Sequence, residues 1–259
     1  MGSRSIVVVK SLMAWDTPPR IDEQELIDDE TQPYADLRAS MGDVRNANRL
    51  LGGTQVVTRQ VRRWLRAPAA PAAQSVPITF LDVATGTADL PLAILATAAR
   101  DGIGTRIFGL DYSAQILRAA SEVAAGSPAI QLIRGTAFRL PFRDASVDYA
   151  ICSLAFHHFG FEKSVRALRE MERVARRGWL VNDLRRARSA WYLFRAVAAL
   201  ARMNRLTRHD GPASILRAYS VDEYLAMPAA LGLREGTDFR LERSLFYRVA
   251  LVRDKPPAG

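Results

Sequence analysis

The sequence predicts an α/β protein built on a mostly parallel sheet. Three observations carry this reading. Phe80-Leu81-Asp82-Val83 is a short apolar run, closed by the small-residue turn Ala84-Thr85-Gly86-Thr87-Ala88, and Asp89 opens a helical pattern. A second run, Ile107-Phe108-Gly109-Leu110, ends in Asp111, 22 residues after Asp89. From Pro77 onward short apolar runs alternate with helical periodicity, the pattern of strands covered on both faces by crossover helices.

Taken in order, residues 1–32 are expected to be weakly ordered, with Pro18-Pro19 and a cluster of acids. Ile6-Val7-Val8-Val9 is shorter than the roughly 7–15 apolar residues of a signal-peptide core. Residues 34–66 read as two helices broken at Gly52-Gly53, with Leu37, Met41 and Val44, then Val57, Val61 and Leu65, near helical spacing. The Ala/Pro-rich stretch 67–77 suits a boundary. The expected division is therefore a segment 1–32, a helical cap and linker 33–76, and a main domain 77–259 carrying a helical insertion at about 187–219.

Within that domain, strands are expected near 78–83, 105–110, 129–134, 148–153 and 178–183, and helices near 88–100, 113–124 and 162–177. Residues 189–217 look helical in pieces, interrupted by the polar turn Thr207-Arg208-His209-Asp210-Gly211-Pro212. Ser220-Val221-Asp222-Glu223 has the form of a capping box. Two alternating stretches, 238–245 and 246–253, suit a hairpin at the sheet edge.

Composition bounds the rest. A chain of 259 residues can bury a full core. No apolar run approaches the ~20 residues of a membrane span, and a cytoplasmic location is the default expectation. The single cysteine, Cys152, rules out an internal disulfide and reads as an inert core thiol. No acid/His cluster with ligand spacing is visible, so no metal is expected. The net charge is +9, uneven along the chain. Acids concentrate between Asp16 and Asp36, and Arg185, Arg186, Arg188, Arg195, Arg202, Arg205 and Arg208 form a basic block. That block is either a solvated helix face or an anion- or RNA-steering stripe.

A tight strand–turn–helix followed by a strand ending in an acid is how many α/β folds hold a ribose. Asp111 can accept both ribose hydroxyls, or serve as a helix cap with Ser113. The Gly135-Thr136-Ala137-Phe138-Arg139-Leu140-Pro141-Phe142 run and Leu140-Pro141-Phe142-Arg143-Asp144-Ala145-Ser146-Val147-Asp148 complete the pattern. Together these segments resemble the class I S-adenosylmethionine-dependent methyltransferases, in particular their ubiquinone/menaquinone-type small-molecule branch.

The resemblance implies a Rossmann-like, seven-stranded, mostly parallel sheet of order 3-2-1-4-5-7-6, with N-terminal helices and a helical lid. It also implies S-adenosyl-L-methionine as cofactor. Its implied contacts are Asp82, Ala84, Thr85, Gly86 and Asp89 around the first turn, and Asp111 with Tyr112 at ribose and adenine. Thr136, Ala137 and Phe138 would line adenine, and Ser153 and Leu154 would lie by the methionine ammonium. The chain departs from the family where alanine replaces the first and third loop glycines and where Thr136 replaces an acid. His157 and His158 follow the fourth strand, as a His pair commonly does in this family. His209, beside Asp210, is the leading general-base candidate, ahead of His158 and His157, because an imidazole titrates near neutral pH. The expected reaction is O-methylation of a small aromatic or polyketide-type acceptor, as in secondary metabolism. C-methylation of a quinone-type ring and an RNA-directed role for the arginines are the alternatives. A homodimer is left open, and no nucleic-acid partner is favoured.

Overall fold

The structure is a computed structural model that describes residues 15–29, 31–67, 76–200 and 203–256. Residues 6–9, most of the 67–77 stretch and Arg202 lie outside the described residues.

Two helices, α1 (Tyr34–Leu50) and α2 (Gly53–Leu65), precede the sheet, with Gly52 in the left-handed region between them. Then follow β1 (Ile78–Val83), α3 (Asp89–Arg100), β2 (Thr105–Asp111), α4 (Ala114–Val123), β3 (Ile130–Arg134), β4 (Val147–Ser153), α5 (Phe161–Val174) and β5 (Ala175–Leu184). The chain continues through α6 (Arg188–Leu200), α7 (Arg205–Arg217) and α8 (Val221–Ala229), and closes with β6 (Arg240–Ser244) and β7 (Arg248–Asp254). The seven strands form one sheet of order β3-β2-β1-β4-β5-β7-β6. The first five strands run parallel, and β7 pairs antiparallel with both β5 and β6. The sheet order and the edge hairpin are as expected.

Both faces of the sheet are packed. One carries Val57, Val61, Trp64 and Ile94 against Phe80, Tyr149 and Ile151, with the Trp64 ring stacked on Tyr149 at 4.2 Å. The other carries Leu168, Met171, Tyr219 and Tyr224 against Leu81, Cys152 and Trp179. Cys152 is fully buried and burial holds its thiol well above the usual range, as a core thiol requires. No helix among the described residues is long and apolar enough to cross a membrane.

Three local expectations are corrected. The fifth expected helix, near 162–177, ends at Val174, and Ala175-Arg176-Arg177 belong to β5, which the Val147–Ala175 pairing extends. The polar stretch 207–212 is no turn: it lies inside α7, where Pro212, the eighth of 13 residues, forgoes a ladder hydrogen bond to the Arg208 carbonyl without ending the helix. Residues 15–29 are packed, not weakly ordered. Arg20 donates to the carbonyls of Arg217, His157 and Phe159, and Glu25 is buried. The acids between Asp16 and Asp36 also answer the arginine block, Asp16 lying 3.8 Å from Arg185 and Asp36 3.9 Å from Arg205, while Asp28 lies 3.5 Å from Arg217 beyond it.

Gly178 marks the closest approach of β5 to β7, where an added Cβ would stand 2.3 Å from the Arg253 carbonyl oxygen. Backbone cannot yield as a side chain tip does, so Gly178→Ala is expected to cost about 3 kcal/mol, read as a lowered urea midpoint at unchanged slope.

Candidate active site

The strand order reverses beside β1, where the connections from β1 and β4 leave toward opposite faces. Such a reversal opens a crevice at the carboxyl ends of the strands. The turn after β1 fills one side of it. Ala84, Gly86 and Ala88 all take positive φ, at 56°, 57° and 59°. The two alanines thus keep a glycine-like path at a strain on the order of 1 kcal/mol each. Gly86 has a steric reason as well, since a Cβ there would meet Met41 Cε of α1 at 3.1 Å. Gly109 in β2 leaves room for the Thr85 side chain.

The turn is tied to both neighbouring strands. Thr85 Oγ1 donates to Asp82 Oδ2 at 2.7 Å, and the Thr85 amide donates to the Leu110 carbonyl. The amides of Gly86 and Ser113 each donate to one oxygen of Asp111, both at 3.1 Å. Ser113 also caps α4. The cap role and a ribose role are therefore compatible, and the acid is held rigidly at the strand end. Burial raises the Asp111 carboxyl above its usual range against those amides, and His158 is near enough to pull it back electrostatically.

A cleft of about 80 Å³ is lined by Met41, Arg45 and Asn48 of α1 and by Ala84, Gly86, Asp89, Ser153 and Leu154. Of the expected contacts, those of the β1 turn and of the β4 end come together here. Asp82 lies beneath Thr85, and Asp111 joins through Gly86. Tyr112 is exposed beside it at 67%. Thr136, Ala137 and Phe138 sit in the loop after β3, where Thr136 Oγ1 accepts from the Phe138 amide at 3.3 Å, and they do not line the cleft.

Sequence reasoning missed the polar groups packed behind the residues that line the cleft. Asn182 donates to Ser153 Oγ at 2.8 Å, and Arg248 of β7 is buried beside Asn48 and Gly53. Asp82 Oδ1, Asn48 Oδ1, Asn182 Oδ1, and Arg248 Nε and Nη1 are all buried with no hydrogen-bond partner among the described residues. Such groups are costly unless something polar meets them. Burial drives Asp82 up to about 7, and lowers the Arg248 guanidinium to about 10. An arginine at the head of the apolar run Val249-Ala250-Leu251-Val252 was the available signal.

The histidines divide. His209 is exposed on α7, 2.9 Å from Asp210 through Nδ1, and lines no part of the cleft; Asp210 instead accepts from the Leu26 and Ile27 amides. His157 and His158 form a short 3-10 turn just beyond β4, their ring centroids 4.3 Å apart. His157 Nδ1 lies 2.6 Å from Asp183 Oδ1 at the end of β5. His158 Nδ1 lies 3.2 Å from Asp28. Burial would lower the His158 imidazole, but Glu25 and Asp28 outweigh it and raise it to about 8. The sequence places Glu25 132 residues before His157, so no spacing rule could join them.

With this geometry in place, likeness to known proteins is informative. Residues 81–181, from β1 into β5, match the family described as "Methyltransferase domain". That stretch is a methyltransferase domain of the class I, S-adenosylmethionine-dependent kind. It is 33% identical over 120 residues to a demethylmenaquinone methyltransferase of Staphylococcus epidermidis, covering 46% of this chain and 48% of that protein. It is 37% identical over 114 residues to one of Deinococcus radiodurans, covering 44% and 45%. The chain thus spans about half the length of the curated relatives it matches. Two solved structures share the fold of the methyltransferase domain and its flanks. A SAM-dependent methyltransferase from Aquifex aeolicus has TM-score 0.57 at 17% identity, over 83% of this chain and 97% of that one. Magnesium protoporphyrin IX methyltransferase from Synechocystis, solved with bound SAM, has TM-score 0.53 at 15% identity, over 87% and 93%.

Asp82 gives the methyltransferase domain a testable pH signature. Its folded pKa, about 7, lies above the ordinary 3.8, so its contribution to stability is fully present below pH 3.8 and is lost as pH rises through about 7. Asp82→Asn removes that loss. Relative to the wild type, the variant is expected to gain on the order of 3 kcal/mol between pH 4 and pH 8, measured by urea unfolding at both pH values.

Proposed function

We propose that the chain transfers the methyl group of S-adenosylmethionine to a small hydroxylated aromatic acceptor. The observation that carries this is the set of unpaired polar atoms of both signs next to the cleft-lining residues Thr85, Ser153 and Asn48. They suit the zwitterionic amino-acid end of the cofactor. Asp82 Oδ1 and Asn182 Oδ1 would accept from the ammonium, and Arg248 would pair with the carboxylate. Asp111, fixed by two amides at the end of β2, would take the ribose hydroxyls, with Tyr112 free to pack on adenine. The cleft is smaller than the ~300 Å³ or more of ordinary ligand sites, so Met41 and α1 would shift outward as the cofactor enters.

When bound, S-adenosylmethionine supplies an electrophilic methyl group on a sulfonium. The chain's part is alignment and exclusion of water. The acceptor would approach from the His157–His158 side, where the carboxyl ends of β4 and β5 meet α7. Attack from oxygen, and attack from a ring carbon beside a hydroxyl, both need a hydroxyl proton removed, and this wall of imidazoles and carboxylates favours that loss. The demethylmenaquinone methyltransferases among the relatives favour ring-carbon attack on a quinol as the second reading. The arginine block, engaged with Asp16, Glu223 and Asp36, gives little support to an RNA partner.

Calorimetric titration with S-adenosylmethionine is expected to give micromolar binding, weakened at least tenfold in Asp111→Asn. Binding should also tighten as pH rises through about 7, with proton release seen as a buffer-dependent heat, because the cofactor ammonium needs Asp82 ionised. Arg248→Met is expected to weaken binding at least tenfold without loss of stability, since an apolar isostere relieves a buried unpaired charge. No binding at millimolar ligand would overturn the proposal. Labelled-methyl transfer to phenols and quinols, with NMR of the product, then separates oxygen from carbon.

A further inference from the structure

We propose that Glu25, His157 and His158 form a divalent-metal site, built where the segment 15–29 crosses the carboxyl ends of β4 and β5. One ligand atom from each lies within 4.8 Å of the others. His157 Nε2 is 3.9 Å from Glu25 Oε1, and His158 Nε2 is 3.7 Å from Glu25 Oε2. These gaps are too long for hydrogen bonds. They are within a few tenths of an ångström of the roughly 3.4 Å that separates two ligands of a tetrahedral ion with bonds of about 2.0–2.1 Å.

The surroundings have the form of a metal site's outer shell. Each imidazole has its Nδ1 engaged by a carboxylate, His157 by Asp183 and His158 by Asp28, which turns both Nε2 atoms toward Glu25. Ligating histidines are commonly oriented in this way. The Glu25 carboxylate is itself fixed, since Ser214 Oγ donates to Oε2 at 2.8 Å. Its other oxygen, Oε1, is buried with no hydrogen-bond partner among the described residues, on a side chain that is 3% exposed. Charge points the same way. Glu25 and Asp28 share one guanidinium, Arg217, at 3.5 Å each, while Arg20 is turned to the main-chain carbonyls of His157 and Phe159.

Two imidazoles and one carboxylate suit a first-row ion such as zinc better than magnesium or calcium. Three protein ligands also leave a coordination position free, the arrangement of catalytic rather than structural sites. His158, the most exposed of the three, places that position toward the acceptor side. An acceptor hydroxyl bound there would lose its proton to solvent more readily, as metal-bound water does. This last role rests on the proposed function; ion binding does not.

The test uses the full chain without an affinity tag, stripped by a chelator and titrated with Co²⁺. The expected result is one equivalent of Co²⁺ per chain with an intense ligand-field spectrum, displaced by Zn²⁺. Glu25→Gln is expected to weaken binding at least tenfold, and Asp183→Asn by 10- to 100-fold through the orientation of His157. If Glu25→Gln fails to fold, His158→Asn, at the most exposed ligand, must show the same loss. Absence of a ligand-field spectrum overturns the site. So does a spectrum that these variants leave unchanged, which would place the ion elsewhere. S-adenosylmethionine titration of the same samples separates the two ideas: cofactor binding without metal binding overturns the metal site alone, and metal binding without cofactor binding overturns the proposed function alone.

Discussion

The reversal of strand order beside β1 is the constraint on which the site depends. Parallel strands on either side of that point send their connections to opposite faces, so nothing fills the space above β1 and β4. Residues at those carboxyl ends are held by the sheet yet face a gap. Asp82, Asp111, Ser153 and Asp183 all occupy such positions, on four different strands. The ladder fixes their spacing to within the tolerance of a hydrogen bond. Ligand chemistry at this place therefore needs no special loop, only suitable residues at strand ends.

What the sheet opens, the flanking segments close. Helix α1 lays Met41 and Asn48 against the β1 turn, and residues 15–29 lay Glu25 and Asp28 against the turn after β4. Closure leaves charged and amide groups buried with nothing to meet them. A protein folding for stability alone would place apolar side chains there. The strain of two alanines at positive φ adds to the same account. Buried polar groups of both signs gathered behind the cleft mark a place where stability has been given up for binding.

Much of this was legible in the sequence. Periodicity marked the parallel strands as short apolar runs bounded by small or polar residues, while β6, with Leu241 its one apolar residue, was readable only as part of an edge hairpin. Ser220 and Glu223 announced the start of α8, and both capping hydrogen bonds are present. The β1 turn and Asp111 were readable because a local chain path brings them within one hydrogen bond of each other. The order of the strands came from resemblance, as periodicity carries no information about which strands pair. Long-range contacts were not legible. The acids of residues 16–36 read as a charged, weakly ordered stretch, and only the fold shows Glu25 buried between two histidines. His209 beside Asp210 looked like a base and its partner, but α7 turns the imidazole to solvent and commits the carboxylate to the Leu26 and Ile27 amides. Arg248 was hidden for the converse reason: a strand pattern tells which face a residue takes, not which helix junction covers it.

The central claim is that the carboxyl ends of β1, β2 and β4 form one cofactor cleft covered by α1. Hydrogen exchange of the full chain with and without the demethylated cofactor product tests this directly. The account predicts that bound product slows exchange at the Gly86 and Ser113 amides and across residues 84–90 and 111–114, while α1 changes as it moves to admit the ligand. Unchanged exchange in those segments under saturating ligand, or protection confined to another part of the chain, would contradict it.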